Sequence, residues 1–423
     1  MSIHESNGHI TTDILVVGGG ISGTTAAIEA SEMGMTAVLV EKEPFLGGRV
    51  ARMHQYFPKL CPPLCGLEIN YRRLRTNENV KVVTLATVGE ISGQPGDYEI
   101  RLNVQPRFVN ENCTACGDCE KACSIEVSDE YNYGMSCRKA VYMPYMAYPP
   151  IYAADASSVK APAFKAAVDA CKYDAFDLSM QAKTVMVKAQ AIIWATGWKP
   201  YDAAKIDYLG FGKFANVITN VMLERLAAQD GPTGAKILRP SDSTAPKKVV
   251  FIQCAGSRDE NHLPYCSGVC CAASIKQANY LRAQYPEAEI HLFYIDVRAP
   301  GRLEDFYVLA SQDPKIVFHR GKVAEVREVF GSKNLMVAAE NTITGVITEM
   351  EADLVVLATG MVPNTAEIRP PLDTPLDEWG FIHPGAPSGI VGAGVASRPF
   401  DVAASVQDAS GAVIRALLTQ GRA

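Results

Sequence analysis

TDILVVGGGISG, residues 12–23, is the stretch that decides the fold, because an apolar strand runs here into a Gly-x-Gly-x-x-Gly turn. A helical pattern follows over residues 24–33, and a second strand, residues 36–40, ends at Glu41. This is the order of a dinucleotide-binding βαβ unit, in which the pyrophosphate lies at the helix N-terminus and the acidic residue binds a ribose. We therefore predict a bound dinucleotide. Its predicted contacts are Gly18, Gly20, Ile21, Ser22, Gly23 and Glu41.

The composition is that of a large globular protein. The 423 residues predict about three domains of roughly 150 residues each. The 48% hydrophobic and 20% charged fractions exclude a disordered chain, and the net charge of −6 with scattered basic residues argues against a nucleic-acid partner. No apolar run approaches the roughly 18 residues that span a bilayer, and residues 1–13 contain no hydrophobic signal segment. We expect a cytoplasmic protein that reaches a membrane only through another subunit.

Further glycine-containing segments indicate FAD as the dinucleotide. KEPFLGGR, residues 42–49, resembles the second glycine doublet of two-dinucleotide-binding-domain flavoproteins. Residues 191–197 and 354–360 resemble their Ala-Thr-Gly turns, and residues 389–394 resemble their closing flavin segment before a helix over 399–418. Val395 stands where many such proteins have an acidic residue, so that ribityl contact is not carried over. The resemblance implies these further FAD contacts: Lys42, Gly48, Arg49, Ala195, Thr196, Gly197, Gly360 and Gly394.

A nicotinamide site is not predicted. The strand at residues 249–253 corresponds to the first strand of the NAD(P)H domain in thioredoxin-reductase-like enzymes. It continues into Cys254-Ala-Gly-Ser-Arg258, without a glycine fingerprint. We expect that this domain keeps its fold and that cysteines have replaced its nicotinamide site.

The chain has 12 cysteines, and in a reducing compartment their spacing indicates metal sites rather than disulfides. Cys113, Cys116, Cys119 and Cys123 have the C-x2-C-x2-C-x3-C spacing of ferredoxins, which bind a [4Fe–4S] cluster. Zinc sites usually pair two separated C-x-x-C knuckles, so the cluster is the favoured interpretation.

The fourth ligand of this cluster is open between three cysteines. In two-cluster ferredoxins the last cysteine of one run binds the other cluster, and Cys171 lies where a partner run would end. We prefer Cys171 to Cys123, with Cys137 as a third candidate. The three lost ligands of the partner run would have stood at Ala161, Phe164 and Ala167. The preferred set is Cys113, Cys116, Cys119 and Cys171.

A second group of four cysteines could hold another metal cluster near one strand end. It consists of Cys254, Cys266, Cys270 and Cys271. The run FIQCAGSRDENHLPYCSGVCC, residues 251–271, resembles the hallmark of HdrA, one of the subunits of heterodisulfide reductase, and the resemblance covers nearly the whole chain. It implies that these four cysteines bind an unusual [4Fe–4S] cluster close to the flavin.

Within that family the methanogen proteins are longer and add a C-terminal ferredoxin domain. This chain is more similar to QmoA, the HdrA-like protein of the quinone-interacting membrane-bound oxidoreductase (Qmo) complex of sulfate reduction. The resemblance implies an electron-transport subunit with FAD and two [4Fe–4S] clusters that is inactive alone. It also implies electron passage between menaquinol and adenylylsulfate reductase. The implied partners are a second HdrA-like flavoprotein and a haem-bearing membrane subunit.

Two other functions are compatible with these patterns. One is a flavin-bifurcating subunit of the heterodisulfide reductase type, which shares the cofactors but differs in partners. The other is a self-sufficient NAD(P)H-dependent disulfide reductase that uses Cys61 and Cys65 as a redox-active dithiol. The C-x3-C spacing is not specific, and two ordinary thiols in a proline-rich loop are slightly favoured. The seven histidines, including His54, His262 and His319, form no metal-ligand pattern.

The predicted fold is α/β: a thioredoxin-reductase-like flavoprotein with two dinucleotide-binding domains and an inserted ferredoxin-like module. The FAD-binding domain is predicted over residues 12–105, 181–200 and 361–423, and the module over residues 106–180. Residues 201–245 are expected to be a connection. Residues 246–360 are expected to form the degenerate second domain with its cysteine cluster.

Overall fold

The computed structural model describes residues 4–6, 9–384 and 389–420, so residues 385–388 and 421–423 of the predicted C-terminal FAD segment lie outside the described residues. The helices are α1 (Ile21–Glu32), α2 (Pro63–Arg75), α3 (Asp118–Ala122), α4 (Lys165–Asp169), α5 (Asn220–Ala227), α6 (Cys270–Gln284), α7 (Leu303–Ser311) and α8 (Val402–Gln420). The strands are β1 (His4–Ser6), β2 (His9–Val17), β3 (Ala37–Val40), β4 (Val80–Val83), β5 (Ala86–Gln94), β6 (Asp97–Val104), β7 (Glu126–Ser128), β8 (Cys137–Lys139), β9 (Val141–Tyr142), β10 (Ala153–Ala154), β11 (Lys183–Trp194), β12 (Trp198–Pro200), β13 (Val217–Thr219), β14 (Lys248–Ala255), β15 (Glu289–Tyr294), β16 (Ile316–Arg320), β17 (Lys322–Glu328), β18 (Leu335–Glu340), β19 (Ile347–Ala352), β20 (Leu354–Thr359), β21 (Met361–Pro363) and β22 (Ile390–Gly392).

The chain divides into two compact units, each made from separated segments. Unit 1 consists of Met1–Trp198, Pro363–Arg398 and Val402–Ala423, and unit 2 of Lys199–Val362 and Pro399–Asp401. Residues 201–245, expected to be a connection, contain β13 and α5 and lie in unit 2. No helix in the described ranges is long and apolar enough to cross a membrane.

Unit 1 is built on a sheet of order β4-β3-β2-β11-β6-β5, with β1 added to β2 and β22 added to β11. The strands β2, β3, β4, β11 and β22 run parallel to one another, and β6 runs antiparallel to both of its neighbours, β11 and β5. Alternate residues of β2 enter different cores: Ile14 and Val16 pack with α1, α2 and α8, and Leu15 and Val17 pack with β5 and β6. Because both faces are covered, the parallel strands are continuous apolar runs such as AVLV in β3.

An insert, residues 105–182, lies between β6 and β11 and contains the predicted ferredoxin-like module. Val104 at the end of β6 pairs with Lys183 at the start of β11, so the two ends of the insert are neighbours in the sheet. The insert has the helices α3 and α4 and the antiparallel pairs β7–β8 and β9–β10. Two of the positions predicted to have lost a ligand, Phe164 and Ala167, are buried in its core.

Unit 2 contains a five-stranded parallel sheet of order β13-β20-β14-β15-β16 and a three-stranded antiparallel sheet, β17-β18-β19. Residues from both sheets form one core, in which Ile252 and Leu357 of the parallel sheet pack with Leu335 and Val337 of the antiparallel sheet. The helix α6 follows β14 after a loop that holds part of the second cysteine group.

Candidate flavin and iron–sulfur sites

The glycine turn between β2 and α1 has the room that a dinucleotide needs. A β-carbon at Gly18 would lie 2.4 Å from the carbonyl oxygen of Ala195, and one at Gly23 would lie 1.8 Å from that of Gly18, so only glycine fits at these two positions. At Gly20 a β-carbon meets only the Cα of Gly48, at 4.0 Å, and the backbone is extended with φ −74°. The space in front of Gly20 is therefore open, as a pyrophosphate cradle at a helix N-terminus requires.

Glu41, at the end of β3, is fixed against this turn. Its Oε2 accepts a hydrogen bond from the backbone N–H of Gly19 at 2.6 Å, and its Oε1 accepts one from that of Glu43 at 2.9 Å. Burial raises the pKa of the Glu41 carboxyl, and these two backbone hydrogen bonds oppose the rise. A carboxylate has about four lone-pair sites, so Glu41 can also accept hydrogen bonds from ribose hydroxyls.

The Ala-Thr-Gly turn after β11 lies directly beside the glycine turn. A β-carbon at Gly18 would approach both Ala195 and the Cα of Thr196, the latter at 3.1 Å. The Oγ1 atom of Thr196 is buried and has no hydrogen-bond partner among the described residues. Gly197 follows in the left-handed region with φ 68°, and its carbonyl accepts a hydrogen bond from the N–H of Asn364. The unpaired hydroxyl is the kind of group that a bound ligand would satisfy.

The closing segment also reaches the turn, through Gly394. Here φ is 61°, and a β-carbon would lie 2.1 Å from the hydroxyl of Ser22, the second residue of α1 after Ile21. The N–H of Gly394 donates to Oδ2 of Asp408 at 2.8 Å. An acidic side chain therefore reaches this glycine from α8, although Val395 follows it in sequence. No motif pointed to Asp408.

The two basic residues predicted as FAD contacts have different environments. Arg49 donates through Nε to the carbonyl of Trp198 and through Nη1 to the hydroxyl of Tyr133, both at 2.8 Å, and burial lowers its pKa. Lys42 is exposed and lies 3.9 Å from Glu43, so the structure does not bring its side chain into the turn. The partners of Arg49 come from distant parts of unit 1 and carried no signal in the sequence.

The unit 1 cysteine set, defined as Cys113, Cys116, Cys119 and Cys171, lines one cavity of the insert. The cavity has about 300 Å³ of empty space, open solvent included. A β-bridge between Val109 and Phe176 joins the segment before Cys113 to the segment after Cys171. Burial and the neighbouring thiols of Cys113 and Cys116 raise the pKa of Cys119 to about 11.

Cys123 and Cys137 are not among the residues that line this cavity. Cys123 is 2% exposed, and its thiol donates to the carbonyl of Ile125 at 3.7 Å. Cys137 is exposed on β8. Cys171 therefore lines the cavity together with the other three cysteines, while Cys123 lies in the same core cluster as Cys119.

The unit 2 cysteine set, defined as Cys254, Cys266, Cys270 and Cys271, is arranged by an irregularity in β14. The register of β14 with β20 shifts between Ile252 and Ala255, and Cys254 has a φ of 56°. Such a bulge redirects the side chain at the strand end. Cys270 and Cys271 are the first two residues of α6, where helix dipoles favour negative sulfur.

The thiols of the unit 2 cysteine set are close enough to affect one another. Burial, and then the thiols of Cys254, Cys271 and Cys266, raise the pKa of Cys270. Burial and the thiols of Cys271 and Cys266 raise the pKa of Cys254 to about 11, against an opposing effect of Arg258. Four such thiols are costly to ionise together, and a metal cluster bound by them would supply the compensating charge. Gly360, predicted as an FAD contact, also lies in unit 2, beside Ser257 and Ser267.

A single metal ion fits neither set. In the described part of the chain, no group of three or more His, Cys, Asp or Glu side chains could hold one metal ion. A four-iron cube binds each thiolate through a different iron, so its ligands surround a volume and do not meet at one point.

The remaining candidates are separate from these sites. Cys61 and Cys65 flank the start of α2 as free thiols, and Cys65 is exposed. Nδ1 of His262 lies 2.8 Å from the hydroxyl of Tyr201, and Nε2 of His319 lies 2.9 Å from Nδ1 of His291. These histidines are hydrogen-bonded to other side chains and, in the described ranges, belong to no metal-binding group.

Comparison with known proteins shows what the chain is similar to. A family model described as FAD dependent oxidoreductase matches residues 13–67. One of the HdrA iron–sulfur subunits of CoB–CoM heterodisulfide reductase in Methanopyrus kandleri is 39% identical over 422 residues, which cover 96% of this chain and 64% of that protein. The HdrA subunit of the H(2):CoB–CoM heterodisulfide,ferredoxin reductase of Methanothermobacter marburgensis is 35% identical, over 96% of this chain and 63% of that protein. The chain thus spans somewhat less than two thirds of the length of these relatives.

A solved structure shows the fold. Thioredoxin reductase of Lactococcus lactis matches with a TM-score of 0.55 at 15% identity, over 97% of this chain and 100% of that one. The predicted thioredoxin-reductase-like α/β fold and the predicted use of FAD are confirmed.

Proposed function

Because the chain is a flavoprotein similar to the HdrA subunit of heterodisulfide reductase, we propose that it is an FAD and iron–sulfur electron-transfer subunit of a larger oxidoreductase. The observation that carries the proposal is the presence of two separate groups of four cysteines in a chain with a flavin turn. Bound FAD accepts electron pairs and bound clusters carry single electrons. A chain with these groups can therefore connect two-electron and one-electron partners.

The residues of unit 1 would hold the flavin through three kinds of contact. The open space at Gly20 and Gly48 would accept the pyrophosphate beside the N-terminus of α1. The carboxylate of Glu41, already fixed by the N–H of Gly19, would accept ribose hydroxyls. The unpaired hydroxyl of Thr196 would supply a further hydrogen bond.

The cysteine sets would hold two [4Fe–4S] clusters. The unit 1 cysteine set would supply three thiolates from the loop and helix at residues 113–119 and the fourth from Cys171. In the unit 2 cysteine set, Cys270 and Cys271 lie on the first turn of α6, where backbone N–H groups stabilise negative charge.

Cofactor analysis of the purified full-length chain tests this proposal. We expect one FAD and about eight irons per chain, since each cube contains four. Flavin absorbance after release, iron analysis and EPR of the reduced protein give these values. About four irons, or zinc in place of iron, would contradict the two-cluster assignment.

For the partners, we propose a complex that passes electrons between menaquinol and adenylylsulfate reductase. The support is the sequence resemblance to the HdrA-like QmoA protein of the Qmo complex. A second flavoprotein of the same type and a haem-bearing subunit would then provide membrane association, with this chain binding peripherally.

A complex of the heterodisulfide reductase type is the second candidate, and a specific observation favours it. The relatives at 39% and 35% identity are named as subunits of CoB–CoM heterodisulfide reductases, and one name includes ferredoxin. Purification of the native complex with identification of its subunits separates the two. Haem and a quinol-reactive membrane subunit support the first candidate, and disulfide- or ferredoxin-linked subunits without haem support the second.

A further inference from the structure

We propose that Arg258 is a positioning residue that raises the reduction potential of the cluster held by the unit 2 cysteine set. It would do so by donating a hydrogen bond to the sulfur of Cys254. The inference rests on the proposed function, because it requires that this set binds a [4Fe–4S] cluster.

The fold places the Arg258 guanidinium between a cysteine and a carboxylate. Arg258 follows Cys254 by four residues in the same turn, and its guanidinium opposes the rise in the pKa of the Cys254 thiol that burial causes. The same guanidinium donates through Nη1 to Oδ1 of Asp296. The tight loop from Cys254 is closed by a hydrogen bond from the N–H of Ser257 to the Cys254 carbonyl, and both Cys254 and Arg258 have a φ of 56°. Two non-glycine residues in the left-handed region within five positions mark a loop whose conformation is imposed by its surroundings.

The segment after β15 ties the same arginine to a second cysteine. The carboxylate of Asp296 pairs with Arg258, and the carbonyl of Asp296 accepts a hydrogen bond from the thiol of Cys271 at 3.7 Å. The backbone of Arg298 also hydrogen-bonds the Cys271 side chain. The segment after β15 thus contacts Cys271 directly and pairs with Arg258, which belongs to the turn that follows Cys254.

The expected effect on the cluster follows from charge. Reduction adds an electron to the cluster, and hydrogen bonds and net charge at its sulfurs are the groups through which a protein sets the potential. A guanidinium stays protonated and forms charge-assisted hydrogen bonds that are stronger than neutral ones. The Arg258 side chain is 23% exposed, so solvent screens its charge only in part. Its presence therefore stabilises the reduced cluster and raises the midpoint potential.

A purely structural role predicts a different result. If Arg258 only fastens the loop to Asp296, its loss would change cluster content or thermal stability while the potential of any assembled cluster stays the same. The midpoint potential of an intact cluster is the measurement that separates these roles.

The experiment is an EPR-monitored redox titration of the full-length iron-loaded chain. In Arg258→Met we expect unchanged FAD and iron, a lower midpoint potential for one cluster and no shift for the other, which acts as an internal reference. Arg258→Lys, which keeps the charge but not the guanidinium fork, should show a smaller shift in the same direction.

Arg282→Met is the matched control. Arg282 also pairs with an aspartate, Asp313, and lies on the same helix as Cys270 and Cys271. It is twelve residues beyond Cys270, about 18 Å along the helix at about 1.5 Å per residue. We expect no shift of either midpoint in this variant.

An unchanged midpoint in Arg258→Met with full iron would overturn the inference. If that variant loses four irons, Arg258→Gln decides, since it keeps a donor without the charge; a midpoint equal to that of the wild type again overturns it, and a lower one supports it. Failure of the proposed function is separate and visible beforehand, because the wild-type chain would then lack the second cluster.

Discussion

At the scale of single residues, Gly20 offers the sharpest test of the flavin site. We expect Gly20→Val to lose at least about ten-fold in FAD content while the fold is retained, because the added side chain enters open space that a pyrophosphate would need. Its extended backbone accepts a β-branched residue without strain. Flavin absorbance per chain and far-UV circular dichroism measure the two effects.

Gly23→Ala is the contrasting variant. Its β-carbon would collide with the carbonyl of Gly18, so this change should destabilise unit 1 itself. Full flavin content in Gly20→Val would show that the pyrophosphate lies elsewhere.

The fourth ligand in unit 1 is a second residue-scale question. We expect Cys171→Ala to lose about four of about eight irons, since a cube rarely survives the loss of a thiolate. Cys123→Ala should keep nearly all its iron, because this thiol already donates to the Ile125 carbonyl, away from the cavity. Iron analysis and EPR on the two variants decide, and the opposite pattern would assign the fourth ligand to Cys123.

The pair His291 and His319 predicts a pH dependence. Their facing nitrogens are 2.9 Å apart, and burial, followed by His319, lowers the pKa of His291 to about 4. A histidine in an unfolded chain has a pKa of about 6.5. Between pH 6.5 and pH 4 the folded chain therefore binds fewer protons than the unfolded chain, and it loses stability as the pH falls through 6.5. After allowance for partial exposure, we expect a loss of about 1 kcal/mol between pH 7 and 5.5.

Thermal unfolding of the wild type and of His291→Gln across this range measures the effect. The variant should lose less stability on acidification, because one histidine with a lowered pKa has been removed. His262→Gln is a suitable control for the removal of a histidine elsewhere in unit 2. Parallel curves for the wild type and His291→Gln would contradict the assignment.

At the scale of elements, the connection from β14 to α6 distinguishes unit 2 from a nucleotide-binding domain. A pyrophosphate site needs a short glycine turn from the first strand to the helix N-terminus. Here the strand ends at Ala255 and the helix begins at Cys270, so a loop intervenes and two cysteines occupy the first helical turn. Cysteine side chains therefore stand at the N-terminus of α6, where a pyrophosphate would lie in a nucleotide-binding domain.

We therefore expect that NADH and NADPH do not reduce the flavin of the purified chain. Anaerobic mixing with either nucleotide should leave flavin absorbance unchanged, while dithionite bleaches it fully and so serves as the control. Rapid bleaching by NADH would revive the self-sufficient reductase function.

The elements that carry local patterns could be predicted from the sequence. The helix expected over residues 24–33 is observed as Ile21–Glu32, and the strand expected over residues 36–40 as Ala37–Val40. The partners of the site residues could not be predicted in this way. Asp408 at Gly394, and Tyr133 at Arg49, are joined by long-range folding, which leaves no periodicity or spacing in the sequence.

At the scale of the whole molecule, unit 1 is completed by residues from the far end of the chain. The helix α8 contributes Ala409, Ala412, Val413 and Ala416 to the same core as α1 and β2, and all four are fully buried. The first strands of the chain therefore cannot finish their core until α8 is present.

This arrangement predicts a strong contrast between adjacent positions of α8. Val413→Asp should destabilise unit 1 by about 3 kcal/mol or more and reduce its FAD content, because an unpaired charge would be buried in the core. Ile414→Asp, at a side chain that is 45% exposed, should change stability by less than about 1 kcal/mol. Thermal unfolding and flavin content of both variants measure this, and equal effects would contradict the packing of α8.

The insert leaves and rejoins the sheet at two paired residues, Val104 and Lys183. This placement bears on how such chains could have gained the insert during evolution. Adjacent strands are only about 4.8 Å apart, so from the side of the sheet the entire insert is equivalent to a hairpin loop. Loops of this kind can be lengthened or exchanged with little effect on the strands beside them, because the entropy of closure grows slowly with length. An ancestral flavoprotein could thus acquire such a module by recombination at one hairpin, and a later exchange would have to preserve the contact between Arg49 and Tyr133 of the insert.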